Sequence, residues 1–366
     1  MGKRELLIIV AFLVVGAVAY QLAAPPAPED RGFSFSRFID SVRREVRGNP
    51  GAAEWESTGT IAVSAELTEL RIGSATRGVE VIGEARDDIE YVLAVTSTGP
   101  DNDLALQYAK AVALERDDLG FALGLRIDYP DEARQTSGLV LRVPRRLTVR
   151  AEGRFSVQVS GVAGADLENV VGDTTLRDIA GRVSGAHRSG RLVVEGAEDV
   201  SLSLTNSDSE LAAVRGDIRV TARNGELVVR DAAGPVEIDQ VNLDLSLQAP
   251  RGTVYVSGTG GEIRIVDPHD EVRVDTRRAE VELQLDRGVT ATVLTSGDTI
   301  RLLLGDATAI SLDAVATNGG EIQAAEFELA ADGDDRERRL THTFNDGTAR
   351  VALRNDDGEI VIRRRQ

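Results

Sequence analysis

The sequence predicts an all-β chain, a β-solenoid built from strand–turn units of about nine residues, preceded by an N-terminal membrane-spanning helix. Three observations carry this expectation. Apolar pairs recur every nine residues between glycines from Gly216 onward. Aromatic residues make up only 4% of the 366, too few for a wide core filled by large rings. The N-terminus is an apolar run behind a short basic head.

Composition narrows the function classes. Hydrophobic residues are 42% of the chain, enough for a folded core. The net charge is -18, and lysine occurs only at Lys3 and Lys110, so a nucleic acid backbone finds no clustered cations to bind. The chain has no cysteine, which excludes disulfides, thiolate nucleophiles and cysteine-ligated zinc or iron–sulfur sites.

The first segment, residues 1–24, reads as a transmembrane signal-anchor. Lys3 and Arg4 precede an apolar stretch from Leu6 to Ala24, long enough to cross a bilayer as a helix. The basic head and the later Glu29-Asp30 place the N-terminus in the cytoplasm and the rest outside, a single pass in the cytoplasmic membrane. Ala17-Val18-Ala19 also fits a signal-peptide cleavage pattern, so a cleaved segment is the alternative. No cysteine follows the run, which removes a lipoprotein anchor. Residues 25–53 read as a Pro-stiffened linker, with Ser36 opening a short helix to about Arg47 that carries Phe38, Ile39, Val42 and Val46 on one face. That helix suits either packing on the domain end or the membrane surface.

Residues 54–135 predict a β-rich capping region with one helix. "TIAVSAEL", "ELRIG", "VEVIG" and "IEYVLAVTST" alternate or run β-branched. Asp103 is the expected cap of a helix over "DLALQYAKAV", with Leu104, Tyr108 and Val112 spaced by four. "FALGLRIDY" and "LVLRVP" follow as strands.

Residues 136–366 carry the repeat. Counting from Gly216, apolar residues occupy the second and fourth positions of every nine: Ile218 and Val220, Leu227 and Val229, Val236 and Ile238, Leu245 and Leu247, Val254 and Val256, Ile263 and Ile265, Val272 and Val274, Val281 and Leu283. Two same-face apolar positions make a short strand with one buried side, and glycine in the turn accepts positive φ. Past residue 288 the phase slips by one, to Val289, Ala291, Val293, Ile300 and Leu302. Gly172, Gly181 and Gly190 keep the spacing upstream, and "GGEIQ" and "DGEIVI" repeat the signature near the end. Two or three units would complete one coil. An antiparallel meander has the same local period. In this frame Arg215-Gly216-Asp217, although it matches a cell-adhesion tripeptide, is a turn of the repeat.

These stretches resemble the "putative adhesin" domain family of bacterial cell envelopes. The resemblance runs over most of residues 55–366. It rests on "LALQYAKAV" before "ALERDD" and "LGLRID", on "LRVPRRLTVRAEGRFSVQVSGVAG", and on "RGDIRV", "NGELVV" and "DGEIVI"; Val143-Pro144 leading into a Gly-x-x-x-Val repeat is its most specific part. It implies a right-handed parallel β-helix-like fold, an extracytoplasmic role and no catalytic residues to transfer. Related domains also occur in envelope-stress response systems, which implies a sensing or regulatory alternative.

No catalytic, cofactor-binding or metal-ligating residue is expected, and no cofactor. His187, His269 and His342 lack metal-ligand spacing and read as turn or surface residues. No Gly-x-Ser-x-Gly elbow or phosphate-cradling loop occurs. From residue 153 onward Phe155, Tyr255, Phe327 and Phe344 are the only aromatics, few for a sugar-cleaving cleft of the kind some β-helices carry. The acidic turns at Asn206, Asp332 and Asn355 lack calcium-loop spacing. The expected partners are the membrane, through the N-terminal helix, and an envelope protein or glycan.

Overall fold

A computed structural model describes residues 51–73 and 77–365. The anchor and linker expectations for 1–50 lie outside the described residues. The described chain is all-β apart from one α-helix and a short 3-10 turn. Its strands are β1 (Ala52–Ala62), β2 (Glu69–Gly73), β3 (Gly78–Glu84), β4 (Asp88–Thr98), β5 (Ala113–Asp118), β6 (Ala122–Asp128), β7 (Gln135–Pro144), β8 (Thr148–Arg154), β9 (Ser156–Ser160), β10 (Gly164–Val171) and β11 (Thr174–Arg177). Four long strands follow, β12 (Arg182–Ala197), β13 (Asp199–Val214), β14 (Ile218–Arg230) and β15 (Val236–Gln248). Short strands complete the chain: β16 (Val254–Thr259), β17 (Glu262–Val266), β18 (Val272–Arg277), β19 (Glu280–Leu285), β20 (Ala291–Ser296), β21 (Ile300–Leu304), β22 (Ile310–Thr317), β23 (Ile322–Gln323), β24 (Asp332–Gly333), β25 (Glu337–Phe344), β26 (Ala349–Asp356) and β27 (Ile360–Arg364).

The strands pair in two ladders. One runs β5, β6, β2, β8, β10, the first halves of β12 to β15, then β16, β18, β20, β26, β22, β25 and β24. The other runs β1, β4, β7, β3, β9, β11, the second halves of β12 to β15, then β17, β19, β21, β27 and β23. The long strands belong to both, which joins the ladders into one mixed sheet. The repeat units pair in parallel and two units apart: Val236 lies opposite Val254, and Leu245 opposite Ile263. That register removes the meander for these units. The residues at the second and fourth positions are all buried, from Ile218 to Leu283, and share one core with the rest of the sheet. The slip at 288 is real, because Val272 pairs with Ala291 and Val281 with Ile300.

Gly172, Gly190, Gly225 and Gly261 take the expected positive φ, but the other glycines of the repeat act differently. Gly216, Gly234 and Gly252 do not have positive φ; that conformation falls three residues earlier, on Ala213, Asp231 and Ala249. The glycines instead stack on one another. A Cβ on Gly234 would lie 2.4 Å from the Gly216 carbonyl oxygen, and one on Gly252 would lie 2.4 Å from the Gly234 carbon. Close approach, not backbone handedness, demands glycine there. At the opposite corner the left-handed position is held by Asn206, Asn224 and Asn242, and Asn224 Nδ2 donates to Asn206 Oδ1 at 2.9 Å. Asparagine bears that conformation better than most residues.

The helix, α1 (Asn102–Ala111), also corrects the sequence reading. Its cap is Asp101, whose Oδ1 accepts the Leu104 amide at 2.9 Å; Asp103 lies inside the first turn. It buries Ala105 and Ala109, while Leu104 stays exposed. It packs against β1 and β4, with Lys110 over the Trp55 ring at 4.9 Å.

His187 is fully buried, against the expectation of a turn or surface residue. It lies in β12 at the inside of a corner, where backbone groups freed by the turn need partners. Nε2 contacts the Gly172 carbonyl at 2.9 Å and Nδ1 contacts Ser207 Oγ at 2.8 Å. Gln240 fills the same role higher in the stack, donating to the Gly260 carbonyl and accepting from the Leu243 amide. His269 is exposed, and His342 lies half-buried on β25. Burial pushes the His187 pKa below its ordinary 6.5, against weaker raising by the Gly172 carbonyl and Asp173. As pH falls below 6.5 the unfolded chain takes up a proton that the folded chain resists, so stability declines; above 6.5 the group contributes no slope. Urea unfolding at pH 7.5 and pH 5.5 is expected to show this loss in the native chain and a smaller one in His187→Gln. Equal losses would remove His187 as the cause.

At the C-terminal end strand order departs from chain order. β26 lies between β20 and β22, pairing in parallel with both, and β27 lies between β21 and β23. Asp313, on β22, fastens this arrangement. Arg339 on β25 donates to Oδ1 at 2.9 Å and to Oδ2 at 3.1 Å. Arg354 on β26 donates to Oδ2 at 2.6 Å and to the Asp313 carbonyl at 2.8 Å. Burial alone would raise the Asp313 pKa, but the hydrogen bonds from Arg354 and Arg339 outweigh it and hold the value below the ordinary 3.8. The stabilisation is therefore present above pH 3.8 and is lost as pH falls through the folded value. Asp313→Ala is expected to cost about 2 kcal/mol, discounted because both arginines are half exposed. Its acid unfolding limb below pH 3.8 is expected to flatten; an unchanged limb would contradict the assignment.

Candidate functional site

Outward rows of a strand ladder align side chains from successive strands at about 4.8 Å. Where those side chains are long, the surface is level; where glycine interrupts them, it sinks. Two glycines do this near the N-terminal end of the first ladder. In one row Glu115 lies opposite Arg126, Arg126 opposite Gly73, Gly73 opposite Glu152, and Glu152 opposite Glu168. In the next outward row Asp117 lies opposite Gly124, Gly124 opposite Arg71, Arg71 opposite Arg150, and Arg150 opposite Asp166. Gly73 and Gly124 leave a groove of about 610 Å3 between the charged rows.

Its electrostatics are split. Arg71 Nε is held by Glu69 at 2.5 Å, Arg126 Nη2 by Glu115 at 2.5 Å, and Arg150 Nη2 by Asp166 at 2.8 Å. These partners stabilise the guanidinium charge: Asp166 chiefly for Arg150, and Glu115 for Arg126, raise the pKa further above its ordinary value. Glu152, Glu168, Asp117 and Arg116 make no such pair among the described residues. Arg126 shares its row with Glu152 and Glu168, while Arg71 and Arg150 share theirs with Asp117, so paired arginines and free carboxylates occur in both rows. Such an arrangement can bind a charged, hydrogen-bonding ligand. A second cavity, of about 360 Å3, lies on the inner side of β5 and is lined by Ile61, Leu67 and Leu123 with Arg116 and Asp118.

The acidic turn at Asn206 belongs to a different surface. Asp208 is in register with Glu226, and Glu226 with Asp244, giving a column of exposed carboxylates along the second ladder. Among the described residues no three His, Asp or Glu side chains converge as metal ligands. The C-terminal aromatics, far apart in sequence, come together: Phe327 and Phe344 meet edge-on at 5.0 Å, and Arg364 covers Phe327 at 5.1 Å. Sequence reading missed the groove because its two glycines lie on different strands, joined only by the β2–β6 pairing.

No family model matches the chain, and no curated protein sequence matches it. Solved structures similar to it are a "putative cell adhesion protein" from Clostridium sporogenes, a "putative adhesin" from Parabacteroides merdae and a "putative adhesin" from Bacteroides fragilis. Their identities are 8%, 10% and 10%, and their TM-scores 0.21, 0.31 and 0.24. The alignments cover 86%, 84% and 85% of this chain and 100%, 95% and 97% of the others. The function is therefore argued from the residues themselves.

Proposed function

We propose that this chain is a non-catalytic, adhesin-like binding protein of the bacterial envelope, held outside the cytoplasmic membrane by residues 1–24. The groove between Gly73 and Gly124 carries this reading, because it combines carboxylate-paired arginines with free carboxylates on one sheet surface. The two-unit register supports a β-solenoid with two strands per coil, residues 54–135 closing one end and 136–366 forming the repeat. The apolar run from Leu6 supports the anchor.

The test has two parts. Fractionation of the producing cell is expected to place the full chain in the cytoplasmic membrane, with residues after 53 cleaved by protease supplied outside. Labelled protein is expected to bind isolated envelope, and the double variant Arg71→Ser, Arg150→Ser to lose most of that binding. A soluble cytoplasmic chain, or unchanged binding by the double variant, would reject the reading.

One observation favours a second reading, a glycan-cleaving enzyme. Glu152 and Glu168 lie on adjacent strands in register, both exposed and unpaired, and a pair of nearby carboxylates is what glycoside hydrolysis uses. Release of reducing ends from envelope polysaccharide, abolished by Glu152→Gln, would establish it.

A further inference from the structure

Counting from β8 and β9, the first ladder carries three more strands, β2, β6 and β5, whereas the second carries four, β3, β7, β4 and β1. The first ladder thus ends at β5, which pairs only with β6 among the described residues. The Leu119 amide donates to the Ala122 carbonyl at 2.9 Å, which sets the phase of the hairpin. By antiparallel alternation the amides of Leu114, Arg116 and Asp118 point away from β6. The free edge lies between two cavities. Glu115 and Asp117 face the outer groove, Asp118 lines the inner cavity beside Ile61, Leu67 and Leu123, and Arg116 borders both. Leu119 and Phe121, 46% and 58% exposed, extend the apolar surface at the hairpin tip.

We propose that β5 binds an extended segment of a partner polypeptide by strand addition, in which basic and apolar side chains alternate. The added backbone would satisfy the outward amides and carbonyls of β5, and alternate side chains would enter the two cavities. The arginines Arg71, Arg126 and Arg150 of the outer groove are already paired with Glu69, Glu115 and Asp166, so basic side chains suit its β5 margin, where Asp117 is unpaired among the described residues; apolar ones suit the inner wall. A second β5 is a poor occupant. It would bring Glu115, Asp117 and Asp118 against the same three acids, with only Arg116 to offset them. The charges on β5 also deter unselective pairing at an open edge.

This inference rests on the reading of this end as a binding surface. The test uses the full-length chain and a fluorescent Lys-Val-Lys-Val-Lys-Val peptide, with Glu-Val-Glu-Val-Glu-Val as control. Saturating Lys-Val peptide is expected to slow hydrogen exchange at the Leu114, Arg116 and Asp118 amides. Arg116→Pro, which removes one outward amide and leaves the β5–β6 bonds, is expected to weaken binding about tenfold, whereas Arg116→Ala changes it by less than about threefold. The Glu-Val peptide is expected to bind about tenfold more weakly. Absence of amide protection in the native chain overturns strand addition even if Arg116→Pro fails to fold. So does equal binding by the two peptides, or a β5–β5 dimer. If the peptide fails while Arg71→Ser, Arg150→Ser still loses envelope binding, only strand addition falls. If neither responds, the binding-surface reading falls as well.

Discussion

Gly234→Ala is expected to lower the unfolding free energy by about 3 kcal/mol, a large effect for one methyl group. The new Cβ would lie 2.4 Å from the Gly216 carbonyl oxygen and 2.7 Å from its carbon. Both obstacles are backbone, so no rotamer change relieves them. The column is also two-sided, because Gly252 nests on Gly234 in the same way. A shift of the 234 backbone away from 216 therefore presses on 252. The useful control is Gly120→Ala, where φ is +80° but nothing lies within 4 Å of the new Cβ. That variant carries only the strain of a left-handed alanine, about 1–2 kcal/mol. Urea unfolding of both variants separates crowding from handedness. If Gly234→Ala is no worse than Gly120→Ala, the column does not require glycine for space. The same comparison bears on Arg215-Gly216-Asp217. Its glycine is the base of the column, with Glu198 and Asp199 against it, and its role is a close approach between turns.

Much of the fold was legible in the sequence because burial has a short period. The second and fourth positions of each unit are buried from Ile218 to Leu283, and the slip at 288 appears in the register. What the period could not convey was the reason for each residue. Glycine and asparagine both mark turns, but only the backbone angles reveal that Asn224 bears the left-handed strain while Gly234 yields space. Asp101 and Asp103 are equally plausible caps by type, and geometry chose the first. His187 reads as polar, yet a corner inside the core offers it the Gly172 carbonyl and the Ser207 hydroxyl. The groove was illegible for a different reason. It depends on Gly73 and Gly124 becoming diagonal neighbours, a fact of strand pairing that no local pattern contains. The free edge of β5 likewise follows from counting strands in two ladders.

The last strands were the least legible part. "DGEIVI" has the same signature as the earlier units, which suggests that it stacks last. Instead β26 and β27 insert one layer early, and the connection that permits this is short. Residues 345–348 carry the chain from β25, on one side of β22, to β26 on the other. Asn345 and Asp346 both take left-handed angles, and Gly347 passes against the start of β22. A Cβ on Gly347 would lie 1.9 Å from the Ala309 carbonyl carbon and 2.0 Å from the Ile310 nitrogen. Gly347→Ala is therefore expected to block the crossing. Displacing β26 and β27 would expose Val351, Leu353, Ile360 and Ile362, all fully buried, at about 2 kcal/mol each. It would also take Arg354 from Asp313 and leave β20 to β23 with unpaired edges, which promote association between chains. The expected result is a fall in melting temperature of about 10 °C or more, with aggregation on heating. Trypsin is expected to cut at Arg350 and Arg354 in the variant far faster than in the native chain. Gly319→Ala, at a left-handed glycine with nothing within 4 Å of the added Cβ, is expected to leave those cuts slow. Unchanged melting and unchanged cleavage in Gly347→Ala would mean that the crossing has room to move, and that the inserted strands are held by their pairings alone.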